Sequence, residues 1–205
     1  MTHSRVLAER LMPGEGVLWE AARLAMANVL LVLCAHVAVP IPGNPVPFTL
    51  QTFGVLMIAV MLGARRAAVV TMMYLVEGAM GLPVFQPFGL PGAARLIGPT
   101  AGYLWAYPLA AYATGWITER LNWSARTWRG MAMLAAAVVG GHILILSGGW
   151  AWLAAIPHMQ ANGAIGVLGW ARAFSLGVVP FLLDAVLKTG LVIAAARSMN
   201  RARPA

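Results

Sequence analysis

Residues Val39 to Leu62 read VPIPGNPVPFTLQTFGVLMIAVML and constrain the structure more than any other part of the chain. Four prolines fall within eight residues, at Pro40, Pro42, Pro45 and Pro47. Each proline removes a backbone N–H donor and restricts the residue before it, so this run cannot be helical. Polar side chains follow it at Thr49, Gln51 and Thr52. The stretch therefore predicts a rigid extended loop folded onto a binding cavity, followed by a short helix.

The residues around this stretch carry no charge. From Leu24 to Ala64 the chain has 41 residues without a single Asp, Glu, Lys or Arg. Irregular backbone in such apolar surroundings is tolerated only where it is buried in protein or lines a water-filled cavity. The proline-rich loop is therefore expected to cover a binding site rather than to face lipid.

Composition places the chain in a membrane. Of its 205 residues, 60% are hydrophobic and 10% are charged, and the mean hydropathy is +0.78, whereas soluble domains carry about 25% charged residues. A net charge of +8 suggests nucleic acid binding in a soluble protein. Here we attribute it to membrane topology and expect no nucleic acid partner. The single cysteine, Cys34, excludes a disulfide within one chain.

Six apolar segments are candidates for membrane spans, because crossing a bilayer takes about 20 apolar residues. They are 17–38, 49–62, 67–82, 99–118, 130–148 and 176–196. The sequence thus predicts an all-α polytopic membrane protein, a compact bundle of six transmembrane helices with the proline-rich loop after helix 1. The membrane domain is expected to cover 17–198, between a cytoplasmic tail at 1–16 and a basic tail at 199–205.

The end of the fifth span is interpreted separately. Gly148 and Gly149 interrupt it, and several polar or helix-breaking residues follow from Pro157 onward. The piece from Trp150 to Ile156 is therefore expected to be an amphipathic segment at the membrane interface, where tryptophan is favoured.

The arginines indicate the orientation, because cytoplasmic loops of membrane proteins carry an excess of Lys and Arg. With six spans, eleven of the fourteen basic residues fall on or beside one side of the membrane: Arg5, Arg10, Arg23, Arg65, Arg66, Arg120, Arg126, Arg129, Arg197, Arg201 and Arg203. Only Arg95 and Arg172 fall on the other side. Both termini are therefore predicted to be cytoplasmic, in a multi-pass protein of the cytoplasmic membrane.

Two ionisable residues lie inside the last predicted span. Asp184 and Lys188 are four residues apart, so both project from one face of a helix. Each charge would cost roughly 2.5–3.5 kcal/mol in the middle of a membrane on an insertion scale. The pair marks either a ligand path, which we favour, or a structural ion pair that neutralises itself.

Three further polar residues are open to two interpretations each. Glu77, in the third span, is either a ligand contact or a partner for an arginine. Arg95 either meets lipid headgroups on the outer side or attracts an anionic substrate. His142, in the middle of the fifth span, is more typical of a packed histidine than of a ligand. The histidines and the cysteine show no metal-site spacing, so we expect no metal and no cofactor.

The first span carries a pair of small residues, Ala21 and Ala25. Small residues at this spacing let another helix approach closely. The pair is either a face on which a partner docks or a consequence of the high alanine content of the chain.

Four segments together resemble the BioY family, the biotin-specific substrate-binding components of energy-coupling factor (ECF) transporters. They are PVPFTLQTFGVLM, YLVEGAMGLPVF, LIGPTAGYLWAYPLAAY and GVVPFLLDAVLK. The resemblance runs from about Val39 to Lys188, and PVPFTLQT with GPTAGY in this order is its most specific part. It implies a compact bundle of six membrane helices, with a loop after the first helix that covers a pocket open to the outside.

The resemblance also implies a biotin site. Biotin carries a carboxylate, a ureido ring with two N–H donors and one acceptor, and an apolar ring and chain, so its site needs an acceptor, a cation and apolar walls. Asp184 would accept from the ureido N–H groups, and Lys188 would donate to the carboxylate or to the ureido oxygen. The other substrate-binding candidates are Thr49, Gln51, Tyr103, Arg95, Glu77 and Tyr74, with walls from Phe48, Phe53 and Trp105.

The implied function is high-affinity capture and uptake of biotin. Relatives dock on a transmembrane coupling protein driven by two ATPase subunits, through small residues that Ala21 and Ala25 match, and some relatives are thought to act alone. The alternative is binding of another vitamin such as thiamine or riboflavin. A membrane enzyme would need a nucleophile and a base within reach, and polar residues are too scarce here for that.

Overall fold

The computed structural model describes Gly14 and residues 16–121, 127–159 and 165–201. Within them the chain forms seven α-helices: α1 Val17–His36, α2 Gln51–Leu62, α3 Ala64–Ala79, α4 Ala101–Arg120, α5 Trp128–Ala155, α6 Trp170–Gly177 and α7 Phe181–Arg201. A 3-10 helix covers Gly92–Ile97, and four two-residue strands pair as β1 Ala38–Val39 with β2 Phe48–Thr49 and β3 His158–Met159 with β4 Ile165–Gly166. The predicted tail at 1–16 lies outside the described residues except for Gly14 and Gly16.

The residues between α1 and α2, 37–50, form what we call the proline segment. They are non-helical, and β1 and β2 pair antiparallel with Ala38 opposite Thr49. The turn that joins the two strands passes through Gly43, whose φ of 75° lies in the left-handed region that favours glycine. The segment therefore leaves the end of α1, turns, and returns to the start of α2.

The second helix lies in the middle of the bundle. Nine of the twelve residues of α2 are buried: Gln51, Gly54, Val55, Leu56, Met57, Ile58, Ala59, Val60 and Leu62. At 1.5 Å per residue the helix is about 18 Å long, which is shorter than the roughly 30 Å hydrocarbon core of a bilayer. The proline segment precedes α2 directly.

The interpretation of the fifth span is wrong at its C-terminal end. Helix α5 runs without interruption for 28 residues, so Trp150 to Ala155 continues it and is not a separate interfacial segment. Gly148 and Gly149 lie within the helix, at positions where it packs closely against α4. A Cβ on Gly149 would lie 2.1 Å from the ring of Tyr103, and one on Gly148 would lie 2.9 Å from the carbonyl oxygen of Gly102. The glycines serve helix packing here.

The last predicted span, 176–196, also differs from the structure. The chain forms α6, breaks at residues 178–180, and continues as α7 at an angle of 42° to α6. Pro180 directly precedes Phe181, the first residue of α7, and a proline there cannot continue the ladder of α6. The break places Asp184 in the first turn of α7.

Among the described residues, two helices, α1 and α5, are long and apolar enough to cross a membrane, and α6 with α7 makes a third if the bent pair is counted as one span. Many large apolar side chains point outward from the bundle, for example Met26, Leu109 and Leu187. These are properties of a helical membrane protein. The other four predicted helices agree with the observed bounds to within about three residues, although the number of spans stays a prediction.

Candidate functional site

A cavity lies at the end of the bundle where the proline segment meets α2, α4, α5 and α7. It encloses about 640 Å³ of space between atoms, counting the part open to solvent. We call it the binding cavity. It is lined by Val46, Pro47, Thr49, Gln51, Thr52, Phe85, Gln86, Arg95, Thr100, Tyr103, Leu104, Tyr107, His142, Ile145, Leu146, Phe181, Asp184, Ala185 and Lys188.

The predicted pair of ionisable residues meets in this cavity. The Nζ of Lys188 lies 2.5 Å from the Oδ2 of Asp184. The same ammonium donates to the carbonyl oxygen of Thr49 and, over 3.0 Å, to the hydroxyl of Thr52. All three donor positions of the ammonium are thus filled by the proline segment, α2 and α7. The pair holds these three elements together at one wall of the cavity.

The two partners differ in exposure. The Lys188 side chain is 5% exposed, whereas that of Asp184 is 24% exposed. Because Asp184 lies in the first turn of α7, the positive end of the helix dipole also favours its carboxylate. A carboxylate has about four acceptor sites, and Lys188 accounts for one of them. Asp184 therefore retains acceptor capacity for a ligand with N–H donors.

Gln51 and Tyr74 occupy different layers of the site. Gln51 lines the cavity, and its Nε2 donates to the Tyr74 hydroxyl over 2.5 Å. Tyr74 is fully buried and does not line the cavity. The prediction that Tyr74 contacts substrate therefore needs correction, since the tyrosine positions Gln51 from behind. Thr49 lines the cavity directly, and its hydroxyl accepts from the Gln51 backbone N–H over 3.3 Å.

Arg95 brings a second buried cation to the cavity. It is 5% exposed, and its guanidinium donates to the carbonyl oxygens of Phe88 over 2.5 Å and Gln86 over 3.0 Å. Its Nε has no hydrogen-bond partner, and no carboxylate of the described residues forms a salt bridge with it. Burial lowers the pKa of Arg95, although a guanidinium remains charged in proteins. The site thus contains a cation without an anionic partner.

The structure does not bring Glu77 to the cavity. Both of its carboxylate oxygens accept from the side-chain amide of Asn28, over 2.6 and 2.8 Å, so that it links α3 to α1. The alternative prediction, that Glu77 pairs with an arginine, is also wrong, because its partner Asn28 is uncharged. Trp105 is likewise misplaced as a wall, because it is 48% exposed and its Nε1 donates to the carbonyl oxygen of Leu96.

Tyr103 is placed as predicted, on the cavity wall. Its hydroxyl donates to the carbonyl oxygen of Gly177 over 2.7 Å, which ties α4 to the end of α6. Its ring packs near that of Phe181, with centroids 6.4 Å apart, and Phe181 packs on Phe48 at 5.1 Å. Tyr103 and Phe181 therefore form an apolar side of the cavity, and Phe48 packs against Phe181.

Sequence reasoning missed four polar residues of the cavity and undervalued a fifth, His142. The missed residues are Gln86, Thr100, Tyr107 and, as a wall residue, Thr52. Gln86 had no signal, since it lies in an irregular segment between α3 and the 3-10 helix. His142 did carry a sequence signal, because a polar histidine in the middle of an apolar span is unusual. It is 4% exposed, and its Nε2 has no partner among the described residues.

A second cavity adjoins the first and leads outward. This outer cavity lies between the proline segment and the residues around the 3-10 helix, and it shares Pro47, Gln86, Arg95 and Thr100 with the binding cavity. Asn44 fixes the proline segment beside it by donating to the carbonyl oxygen of Leu176 over 2.8 Å. Arg95 stands where the two cavities meet, whereas Asp184 and Lys188 line only the inner one.

Comparison with known proteins identifies the family. A model described as the BioY family matches residues 8–205. The chain belongs to the BioY family. The resemblance seen in the four sequence segments is thereby confirmed.

Relatives of this BioY chain carry transporter names. The probable biotin transporter BioY of Pyrococcus horikoshii is 32% identical over 177 residues, covering 85% of this chain and 93% of the relative. The biotin transporter BioY of Thermotoga maritima is 35% identical over 168 residues, covering 82% and 86%. That of Rhodobacter capsulatus is 35% identical over 180 residues, covering 87% and 90%. The names describe transporters, which confirms the expectation that the family is not one of enzymes.

A solved structure shares the fold of the BioY chain. It is the S-component for biotin from an ECF-type ABC transporter, with a TM-score of 0.74 and 22% sequence identity. The similarity covers 91% of this chain and 93% of the solved one. At this identity the likeness establishes the arrangement of the helices and nothing further.

Proposed function

We propose that this BioY-family protein binds biotin from outside the cell and takes it up across the cytoplasmic membrane. The observation that carries the proposal is the ion pair of Asp184 with the buried Lys188 on the wall of the cavity. Family membership and the transporter names of the relatives support the same ligand. The residues of the cavity supply what biotin needs, namely acceptors, cations and apolar walls.

The ureido ring is proposed to bind at the inner end of the cavity. Asp184 accepts from the two ureido N–H groups with the oxygen positions that Lys188 leaves open. Lys188 donates to the ureido oxygen by giving up one of its three present acceptors. Charge-assisted hydrogen bonds of this kind are about twice as strong as neutral ones, so this end is expected to supply most of the specificity.

The carboxylate is proposed to bind at the outer end, at Arg95. This assignment follows from position, because Arg95 stands between the two cavities while Asp184 and Lys188 line only the inner one. Arg95 also lacks a carboxylate partner within the described residues. An anionic ligand would complete the site by supplying one. The valeryl chain of biotin would then lie along the apolar wall between the two ends.

Neutral polar residues complete the proposed site. Gln51, Thr49 and Tyr103 line the cavity and offer hydrogen bonds without charge. Tyr74 is proposed to orient Gln51 and not to contact biotin. Glu77 is not included in the proposed site. We propose no cofactor and no metal for this chemistry.

The proposed topology has six spans with both termini in the cytoplasm. The membrane domain covers 17–198, the tails cover 1–16 and 199–205, and the proline segment faces outside. The excess of arginines on the opposite side supports this orientation. Ligand entry through the outer cavity then precedes closure of the proline segment over the site.

Partners are proposed on the lipid-facing side of α1. Ala21 and Ala25 are both exposed on this helix, which leaves room for another helix to pack against them. Such a partner would be a transmembrane coupling protein with its two ATPase subunits. A solitary mode of transport, without these subunits, is the alternative, and both modes use the same biotin site.

The test of the proposal is purification of the full chain in detergent, followed by mass analysis of any retained small molecule. Labelled biotin is then bound and competed with unlabelled biotin, thiamine or riboflavin. We expect biotin in the retained fraction and competition by biotin alone. Displacement by thiamine or riboflavin at equal concentration would contradict the proposal.

A further inference from the structure

A wide groove opens at the other end of the bundle from the binding cavity. The central helix α2 connects the two sites, because Gln51 at its start lines the cavity and Leu62 at its end lines the groove. The groove holds about 1210 Å³ of space, counting the part open to solvent. We call it the arginine groove, and it is lined by Leu62, Ala64, Arg65, Arg66, Tyr112, Trp116, Glu119 and Arg120.

Positive charge is in excess in the arginine groove, with three guanidinium groups and one carboxylate. The carboxylate of Glu119 accepts from the backbone N–H of Ala64 over 2.9 Å, at the start of α3. Arg66 donates to Glu20 on α1 over 2.5 Å. Arg65 and Arg120 are exposed, and no carboxylate of the described residues forms a salt bridge with either. Within the described part of the chain, two cations of this groove therefore have no salt-bridge partner.

The Arg120 guanidinium is held in place by an aromatic ring. It lies 3.9 Å from the ring centroid of Trp116, within the range of a cation–π interaction. Trp116 and Tyr112 both line the groove and are themselves exposed. Tryptophan and tyrosine are enriched at the level of the lipid headgroups. The cations of the groove thus stand beside the residue types that mark the membrane surface.

Each of the two helices that border the groove carries an exposed apolar stripe that ends in an arginine. On α4 the stripe is Leu109, Tyr112 and Trp116, followed by Arg120, and on α3 it is Val76, Met72 and Val69, followed by Arg65. The spacings of three and four residues keep each stripe on one helical face. Arg65 and Arg120 both line the groove, so both stripes run from the groove toward the opposite end of the bundle.

We infer that the arginine groove binds the headgroup of an anionic phospholipid, with its acyl chains along the two apolar stripes. The arginines supply charge-assisted donors for a phosphate, and the stripes supply apolar surface that a soluble anion would leave uncovered. Basic pockets between membrane helices on the cytoplasmic side are suited to such headgroups, and this is the side that the arginine distribution indicates. The inference is independent of which vitamin the cavity binds.

Native mass spectrometry of the full-length protein in detergent tests this inference. The protein is titrated with phosphatidylglycerol, with phosphatidylcholine of the same acyl chains, and with inorganic phosphate. Each basic side chain near an anionic surface contributes about fivefold in affinity. We expect phosphatidylglycerol to be preferred over phosphatidylcholine by about tenfold or more, and the preference to be lost in the double variant Arg65→Gln, Arg120→Gln.

The matched control is the double variant Arg129→Gln, Arg172→Gln, which removes the same charge from exposed arginines outside the groove. It is expected to keep the wild-type preference. Labelled biotin binding, measured on every variant, reports folding, because none of these arginines lines the binding cavity. If the double groove variant loses biotin binding, the single variants Arg65→Gln and Arg120→Gln replace it, each with an expected fivefold effect.

Four outcomes would overturn the inference. Equal binding of the two lipids by the wild type would show that the protein has no preference for an anionic headgroup. Retention of the preference by the groove variant would show that Arg65 and Arg120 do not bind the headgroup. Binding of inorganic phosphate but not of phosphatidylglycerol would make the groove a site for a free anion. If the groove variant no longer co-purifies with coupling subunits while its lipid binding is unchanged, the arginine groove would be a protein interface.

Discussion

At the scale of single residues, the site depends on charges that are buried and positioned by different elements. Lys188 is neutralised by Asp184 and held by the proline segment and α2, whereas Arg95 is held only by backbone carbonyls. At the ion pair, ligand N–H groups bind the acceptor positions of Asp184 that Lys188 leaves open. At Arg95, a buried cation attracts an anion directly. The two ends of the cavity should therefore respond differently to changes in the ligand.

Arg95→Gln is expected to weaken biotin binding by about tenfold or more, because a hydrogen bond to a charged group contributes about 1.5–3 kcal/mol. The same variant should leave the affinity for biotin amide nearly unchanged, since the amide has no charge for Arg95 to neutralise. Equilibrium binding of both ligands measures the difference, and Arg95→Lys, which keeps the charge, is the control. Equal losses for biotin and its amide would assign Arg95 a purely structural role at Phe88 and Gln86.

Tyr74→Phe tests a positioning role. Loss of the hydroxyl leaves the buried Nε2 of Gln51 without its acceptor, which costs about 1–3 kcal/mol. We expect a lower unfolding temperature in detergent together with a loss of biotin affinity of about threefold. Tyr112→Phe, at an exposed tyrosine on α4, should change neither quantity. Unchanged stability and affinity in Tyr74→Phe would show that Gln51 does not depend on this bond.

At the scale of the elements, the irregular pieces were predictable where a residue type forces them. Four prolines exclude a helix between α1 and α2 whatever the tertiary structure, so that segment could be read from the sequence. Gly148 and Gly149 could not be read in the same way, because glycine in a helix is unfavourable by only about 1 kcal/mol. Close packing against Gly102 and Tyr103 outweighs that cost, and a single sequence does not show which helices will meet.

The residues of the site were also predictable only where the residue type itself carried a signal. The position of Asp184 and Lys188 at the cavity was predictable, because charged residues in an apolar helix usually face the bundle interior and the helical period places both on one face. Glu77 carried the same signal and was misassigned, because its partner Asn28 is 49 residues away in sequence. Gln86 was missed because a neutral polar residue in an irregular segment carries no such signal.

The face of α1 provides a prediction about partners. Leucine at both Ala21 and Ala25 would block close approach of another helix, while both positions lie outside the binding cavity. We expect the double variant to bind biotin like the wild type and to lose co-purification with co-expressed coupling and ATPase subunits. Ala194→Leu, at an exposed alanine on α7, is the control. Unchanged co-purification of the double variant would exclude this face as the docking site.

At the scale of the whole molecule, uptake from outside the cell requires a defined orientation in the membrane. Pro42 is exposed in the proline segment and Thr127 is exposed just before α5, so a cysteine at either position can be labelled. In a Cys34→Ala background, Pro42→Cys should react with a membrane-impermeant maleimide in intact cells. Thr127→Cys should react only after lysis. The reverse pattern would contradict cytoplasmic termini and the outward-facing cavity.

The variant Asp184→Asn tests whether the ion pair of Asp184 and Lys188 binds biotin. The substitution keeps the shape of the side chain, removes one carboxylate acceptor and leaves Lys188 bound to Thr49 and Thr52. Equilibrium titration of the purified, folded variant with labelled biotin should give an affinity at least about tenfold weaker than that of the wild type. Glu77→Gln, which removes a carboxylate outside the cavity, should bind as the wild type does. Wild-type affinity in Asp184→Asn would contradict the account.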